Sequence, residues 1–272
     1  MNHKDIILTG VPRSGTTLAC LLLSKLPGFV ALNEPMRTAA FRSNQEALAG
    51  VPTFFAATRT SILQRGVATA RAVNGKMTDN HFAQVKGKRT KMVVKQEIRI
   101  DKPLSPSFRL ALKHNALFTI LQEELVGRYP VFAFVRNPLA VLASWNSLDI
   151  PTSRGEIRAL DLLLPETGKA LKSAGSLEER QLFILDWYFG QYRKLAPASV
   201  IKYEDIVATN GHALSVIDPA ARQLEEDLSG RNRSKVYDWA KMKPLAEMLL
   251  ASDNACWAFY DRSEVEALLA AV

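Results

Sequence analysis

The sequence predicts an α/β fold, a central parallel β-sheet with flanking helices, in one domain spanning residues 1–272. Three observations carry this. Short, mostly apolar runs at residues 5–9, 29–32, 91–95, 131–135 and 199–203 have strand length and composition. Segments of helical character separate them, the alternation expected of parallel strands joined by crossover helices. No linker-like stretch interrupts the series, so helical insertions at residues 36–90 and 149–175 account for the length better than a second domain.

In chain order, residues 5–9 read as a buried strand closed by Gly10, and residues 15–26 as a helix stopped by Pro27-Gly28. Residues 29–32 form the second strand, expected beside the first. Residues 36–80 look mostly helical, broken at Gly50-Val51-Pro52 and Asn74-Gly75. Residues 91–95 are the third strand. Ser105 as N-cap, Pro106 and the terminal Gly127 bound a helix over 106–126, with Leu110, Leu117, Leu121 and Leu125 as its stripe. Residues 131–135 are continuously apolar, as a strand buried on both faces should be, and Pro138 opens the next helix. Residues 149–175 read as a mobile excursion. Ser176-Leu177-Glu178-Glu179 is a capping box before a helix carrying Leu182, Leu185, Phe189 and Tyr192. After the strand at 199–203 the chain is helical, with a loop near 228–235.

The 272 residues are 47% hydrophobic and 23% charged, which is ordinary globular usage and excludes disorder. Two cysteines, Cys20 and Cys256, are too few for a disulfide framework and read as core. The apolar run at 18–23 is as long as any in the chain, far below the ~18 residues of a membrane span. With no signal peptide evident, a soluble cytoplasmic protein is expected, without a membrane partner. The formal charge of +8 favours anionic partners. The basic runs at 86–91 and 231–235 are short and carry no interleaved aromatics, so nucleic acid is not an expected partner and 86–91 reads as a solvated face.

The strongest motif is Gly10-Val11-Pro12-Arg13-Ser14-Gly15-Thr16-Thr17, between a strand and a helix. Backbone N–H groups and a helix N-terminus cradle phosphate in that context. The glycine spacing is that of a P-loop, but Thr16 stands where a nucleotide hydrolase has Lys, and the cation is Arg13 instead. Nor does an acidic residue end the strand at 131–135 to hold magnesium; Arg136 stands there. The motif suits a phosphate-like group without a metal.

Residues Pro12 to Leu18 resemble the 5′-phosphosulfate loop of sulfotransferases that use 3′-phosphoadenosine 5′-phosphosulfate (PAPS). Phe132-Ala133-Phe134-Val135-Arg136-Asn137-Pro138, with Ser144-Trp145, is similar to the same family's 3′-phosphate element, and residues 200–206 resemble a third family segment. The resemblance implies a P-loop-like sulfotransferase fold, PAPS as cofactor, adenosine 3′,5′-bisphosphate (PAP) as product, no metal, and a hydroxyl-bearing acceptor, a sugar or other small molecule. It implies that Arg13, Ser14, Gly15, Thr16 and Thr17 hold the phosphosulfate, and that Arg136 and Ser144 recognise the 3′-phosphate. Arg231 and Arg233 would close over the nucleotide, with a solvated loop as the competing reading. Arg13 and Lys95 would stabilise the departing oxygen. Glu34, in Asn33-Glu34-Pro35, would be the base, as in the carbohydrate and tyrosylprotein branches. Lys95 departs from the family pattern, being followed by Gln96-Glu97 rather than Thr-Pro, and a plain salt-bridged lysine is the competing reading. Of His3, His81, His114 and His212, only His114 is a further base candidate. An ATP-dependent small-molecule kinase and a non-catalytic nucleotide-binding module stay open.

Overall fold

The computed structural model describes residues 4–85 and 88–270. The strands are β1 (Asp5–Gly10), β2 (Phe29–Asn33), β3 (Val67–Ala72), β4 (Phe82–Val85), β5 (Lys88–Lys91), β6 (Val94–Arg99), β7 (Arg109–Lys113), β8 (Val131–Val135) and β9 (Val200–Lys202). Five of them form a parallel sheet in the order β2-β7-β1-β8-β9. Every residue of β1 and β2 is buried, because helices cover both faces. One face packs against Asn44–Arg65, Pro138–Asn146 and Leu177–Tyr192, the other against Thr16–Leu23 and Tyr203–Ala208. The chain leaves β1 toward β2 on one side and later fills β8 on the other. Such a switch opens a crevice at the strands' carboxyl ends.

The α/β expectation holds, and four details are corrected. Residues 106–126 are not one helix: Ser105 and Pro106 begin a turn closed by Phe108 N–H on Ser105 O (3.0 Å), β7 follows, and helix resumes at Asn115. The slot between β2 and β1 demands a strand and overrides the local helical signals. The second strand therefore neighbours β7, not β1. The run 91–95 divides between β5 and β6, which belong to two-stranded ribbons outside the central sheet. In the 36–90 insertion, one helix, Asn44–Arg65, runs through Gly50 and Pro52, and β3 pairs antiparallel with β6.

Residues 149–175 are folded rather than loose. Helices Arg158–Leu163 and Pro165–Ser173 bury Leu160, Leu163 and Leu171. The capping box at Ser176 forms, with Glu179 N–H on Ser176 Oγ (3.1 Å) and Ser176 N–H on Glu179 Oε2 (2.6 Å). Among the described residues no helix is long and apolar enough to cross a membrane. Of the basic run at 86–91, Lys86 and Gly87 lie outside the described residues. Arg89 and Lys91 line the cleft at the sheet's carboxyl end; half-buried Arg89 departs from the solvated-face reading, while Lys91 is exposed as that reading expects.

Candidate functional site

The loop after β1 is shaped by close approaches. A Cβ on Gly10 would sit 2.6 Å from Phe134 O and from Thr16 Cγ2, so only glycine lets β1 turn there. Gly15 has φ 83, and a Cβ on it would meet the Tyr203 ring at 2.6 Å. Arg13 also takes left-handed backbone, φ 77, a strained position for a non-glycine residue. Ser14 departs from the expectation that it meets the cofactor. It is fully buried, its N–H donates to Val11 O (3.0 Å) and its hydroxyl to Phe134 O (2.8 Å), so it staples the loop. The helix Thr16–Leu23 begins behind Gly15 with no side-chain cap. Its first three N–H groups have no intrahelical acceptor, and Thr16, Thr17 and Leu18 line the cleft.

Above the loop stands a group of guanidiniums. Arg13 Nε donates to Ser144 Oγ (3.2 Å), Nη2 donates to Asn80 Oδ1 (3.1 Å), and the group lies over the Phe82 ring. Ser144 is itself fully buried and reaches the site through Arg13 and Tyr237. Burial and the neighbouring Arg89, Arg136 and Arg231 push the Arg13 pKa down to about 10. Arg136 is 3% exposed and spends its donors within the protein: on Asn232 Oδ1 (2.7 Å), Arg13 O (3.1 Å), Arg231 O (2.6 Å) and Tyr237 Oη (3.4 Å). Its guanidinium lies over the Tyr203 ring. In this arrangement Arg136 clasps the 228–237 loop to the sheet. Arg231 crosses the cleft to Asp79 (3.1 Å). Arg233 lines the same cleft with no side-chain partner among the described residues.

A second group surrounds Glu34, which follows β2 with φ 46. Arg71 Nε donates to its Oε2 (2.6 Å) and Lys113 Nζ to its Oε1 (3.1 Å). Lys113 ends β7 and is 2% exposed, a buried cation stabilised by this one carboxylate. Burial opposes ionisation of Glu34, yet Lys113 and Arg71 among its neighbours hold the carboxyl well below the usual carboxylate range. Lys95 lies inside β6 rather than closing a strand, and its Nζ donates to Met36 O. Its electrostatic neighbours are Arg71, Arg37 and Glu34, so it belongs with Glu34 and not with Arg13.

The histidines divide. His114 is not within a helix but immediately after β7, where its Nε2 accepts from Met36 N–H (3.1 Å). Burial pushes its pKa down to about 3. With that lone pair spent, it is a poor base. His81, which sequence reasoning passed over, lines the cleft. It hydrogen-bonds Asn33, and burial with Lys113 lowers its pKa to about 3. Charges from both groups reach it, Arg13 on one side and Lys113, Glu34 and Arg71 on the other.

Loop, guanidinium group and Glu34 group line one cleft of about 1450 Å³, above the several hundred to 1,000 Å³ that one small ligand needs. Thirteen cationic side chains and five carboxylates line it among the described residues, a surplus of eight that equals the whole chain's. The chain's basicity is thus concentrated at this site. The 149–175 insertion and residues 36–40 wall it. Lys113, Arg71, Arg89 and Tyr237 were not anticipated. The period-2 alternation of residues 67–72 could have revealed β3 and Arg71, and a strand at 109–113 would have placed Lys113 at the sheet's end. Nothing local marks Tyr237. No protein-family model matches the chain, and no curated protein matches it.

Proposed function

We propose that the chain is a PAPS-dependent sulfotransferase acting on a hydroxyl. The observation that carries this reading is a P-loop-shaped turn whose cationic arm is Arg13, set among Arg89, Arg136 and Arg231 with Asp79 the one carboxylate paired to that group among the described residues. A cluster of guanidiniums this poorly neutralised suits a polyanionic nucleotide. PAPS supplies a sulfuryl group on a phosphate that leaves as an oxyanion. The amides of Thr16 and Thr17, with Arg13, hold the 5′ end and stabilise charge as it develops. A 3′-phosphate recognised by Arg136 has to displace Arg231 O, Arg13 O or Asn232 from its guanidinium, and Arg231 and Arg233 lie beside that exchange. Glu34 accepts the acceptor's proton on a lone pair that Arg71 and Lys113 leave free; the cations that keep it ionised also weaken it as a base.

The test is transfer of labelled PAPS to a panel of sugars, phenols and peptides with excess chelator present. In parallel, PAP should raise the melting temperature more than AMP or ATP, because ligand bound only by the folded state stabilises it in proportion to occupancy. Equal shifts from PAP and ATP would overturn the reading. A PAP-selective shift with no transfer would leave a binding module, and magnesium-dependent ATP turnover would indicate a kinase.

A pH profile gives a further check. Burial, with Arg71 and Arg37, lowers the Lys95 pKa to about 8. The amine is therefore charged below that pH and loses its proton as pH rises through it. Turnover should fall above pH ~8, and Lys95→Arg should move that limb upward because guanidinium stays protonated. An identical alkaline limb in the two proteins would remove Lys95 from the reaction.

A further inference from the structure

Around Glu34 the cations outnumber the anions more heavily than one carboxylate can balance. Both Glu34 oxygens are already taken, by Arg71 and Lys113. Arg71 and Lys95 are direct cross-strand partners in the β3–β6 ribbon. Like charges in that position destabilise a ribbon unless something neutral or negative lies between them. Among the described residues, Lys95 has only a backbone carbonyl, Met36 O, as hydrogen-bond partner. Arg37 and Lys91 line the same end of the cleft, and their side chains have no hydrogen bond or ion pair among the described residues. Burial followed by Arg71 also lowers the pKa of Lys91. These groups share no partner with the guanidiniums over the phosphate loop, whose side-chain partners are Ser144, Asn80, Ser147, Asn232, Tyr237 and Asp79. The cleft thus holds two cationic centres, and charges from both reach His81.

We propose that the Glu34 end is an oxyanion subsite, formed by Arg37, Arg71, Lys91 and Lys95, and that the acceptor is a hydroxyl compound carrying its own carboxylate, phosphate or sulfate group. The inference rests on the donor reading above for the identity of the other centre. The volume supports two ligands side by side, and the two centres divide it by charge: one for the donor nucleotide, one for the acceptor's anion. Arg37 and Lys91 approach the anion from loop and ribbon, while the Arg71–Lys95 pair gives it a floor. An anion there also relieves the repulsion inside that pair, so its binding strengthens the wall that holds it. Held this way, the acceptor presents a hydroxyl toward Glu34 and the phosphate loop instead of binding by shape alone.

The probes are 4-nitrophenyl β-D-glucuronide and 4-nitrophenyl β-D-glucoside, which share their ring hydroxyls and differ in the carboxylate at C6. Calorimetric titration of the full chain at 0.15 M salt, with and without PAP, should show the glucuronide binding about tenfold tighter, the worth of one charge-assisted hydrogen bond. In Arg37→Gln/Lys95→Gln the preference should vanish while PAP affinity stays within about threefold, because neither residue belongs to the guanidinium group over the loop. Equal binding of the two glycosides, binding of neither, or a preference that survives the double substitution would overturn the subsite. If PAP binds in those cases, the donor reading stands without it. If PAP does not bind and the glucuronide preference is intact, the donor reading falls and the subsite remains.

Discussion

Arg13→Ala should lower turnover by about 10²–10³, the loss that follows removal of one preorganised donor from a developing oxyanion. PAP should bind about 10–100-fold more weakly, since a charge-assisted hydrogen bond to a phosphate contributes ~1.5–3 kcal/mol. Arg13 occupies left-handed backbone, so the side chain's effect must be separated from that of the conformation. Arg13→Gly does this, because glycine takes φ 77 freely and relieves about 1 kcal/mol of strain that alanine keeps. The glycine variant should melt higher than the alanine variant and be just as inactive. Loss of activity with alanine alone would mean that Arg13 acts only through the loop's shape. Ser144→Ala gives a milder form of the same defect. It frees one guanidinium nitrogen (Nε, 3.2 Å from Ser144 Oγ) while leaving the Asn80 bond in place.

The parts of this site that were legible in the sequence are those set by local rules. Gly10 and Gly15 mark a strand-to-helix turn because their conformations and neighbours exclude a Cβ. Residues 131–135 read as a strand because a parallel strand covered on both faces is apolar throughout. Arg136 at its end follows directly. What was illegible is set by partners distant in the chain. Leu110 shares helical spacing with Leu117 and Leu121, yet it belongs to β7, which exists because β1 and β2 leave a strand-wide gap. Misreading β7 hid Lys113 and His114 together, since both take their place from its carboxyl end. Arg71 was missed because its ribbon forms outside the main sheet, on β6 some two dozen residues later in the chain. Glu34 was found through the family resemblance of Asn33-Glu34-Pro35 after a strand, but the two cations that bind it were not.

Those two cations make Glu34→Gln the most informative substitution. If Glu34 is the base, turnover should fall by about 10²–10⁴, the usual share of general-base catalysis, with PAP affinity nearly unchanged. The same substitution removes the one carboxylate bonded to Lys113, which is 2% exposed. Leaving a buried cation uncompensated costs about 3–5 kcal/mol, so the single variant should also melt lower. Glu34→Gln/Lys113→Met separates the two effects. With both charges gone, the melting temperature should recover, while turnover stays lower than that of Lys113→Met alone by about the same 10²–10⁴. The pH profile adds an independent sign. The Glu34 carboxyl is held well below the usual carboxylate range, so its ionised form persists as pH falls, and Glu34 should impose no acid limb between pH 8 and 5. The stability it contributes through Lys113 should likewise be present at neutral pH, begin to fade as pH falls below the ~4.3 of a free Glu, and be gone below its lowered pKa. If the double variant turns over as fast as Lys113→Met, Glu34 only balances charge. The base is then neither histidine of the cleft, since burial lowers His81 and His114 alike to about 3 and a ring nitrogen of each is already hydrogen-bonded.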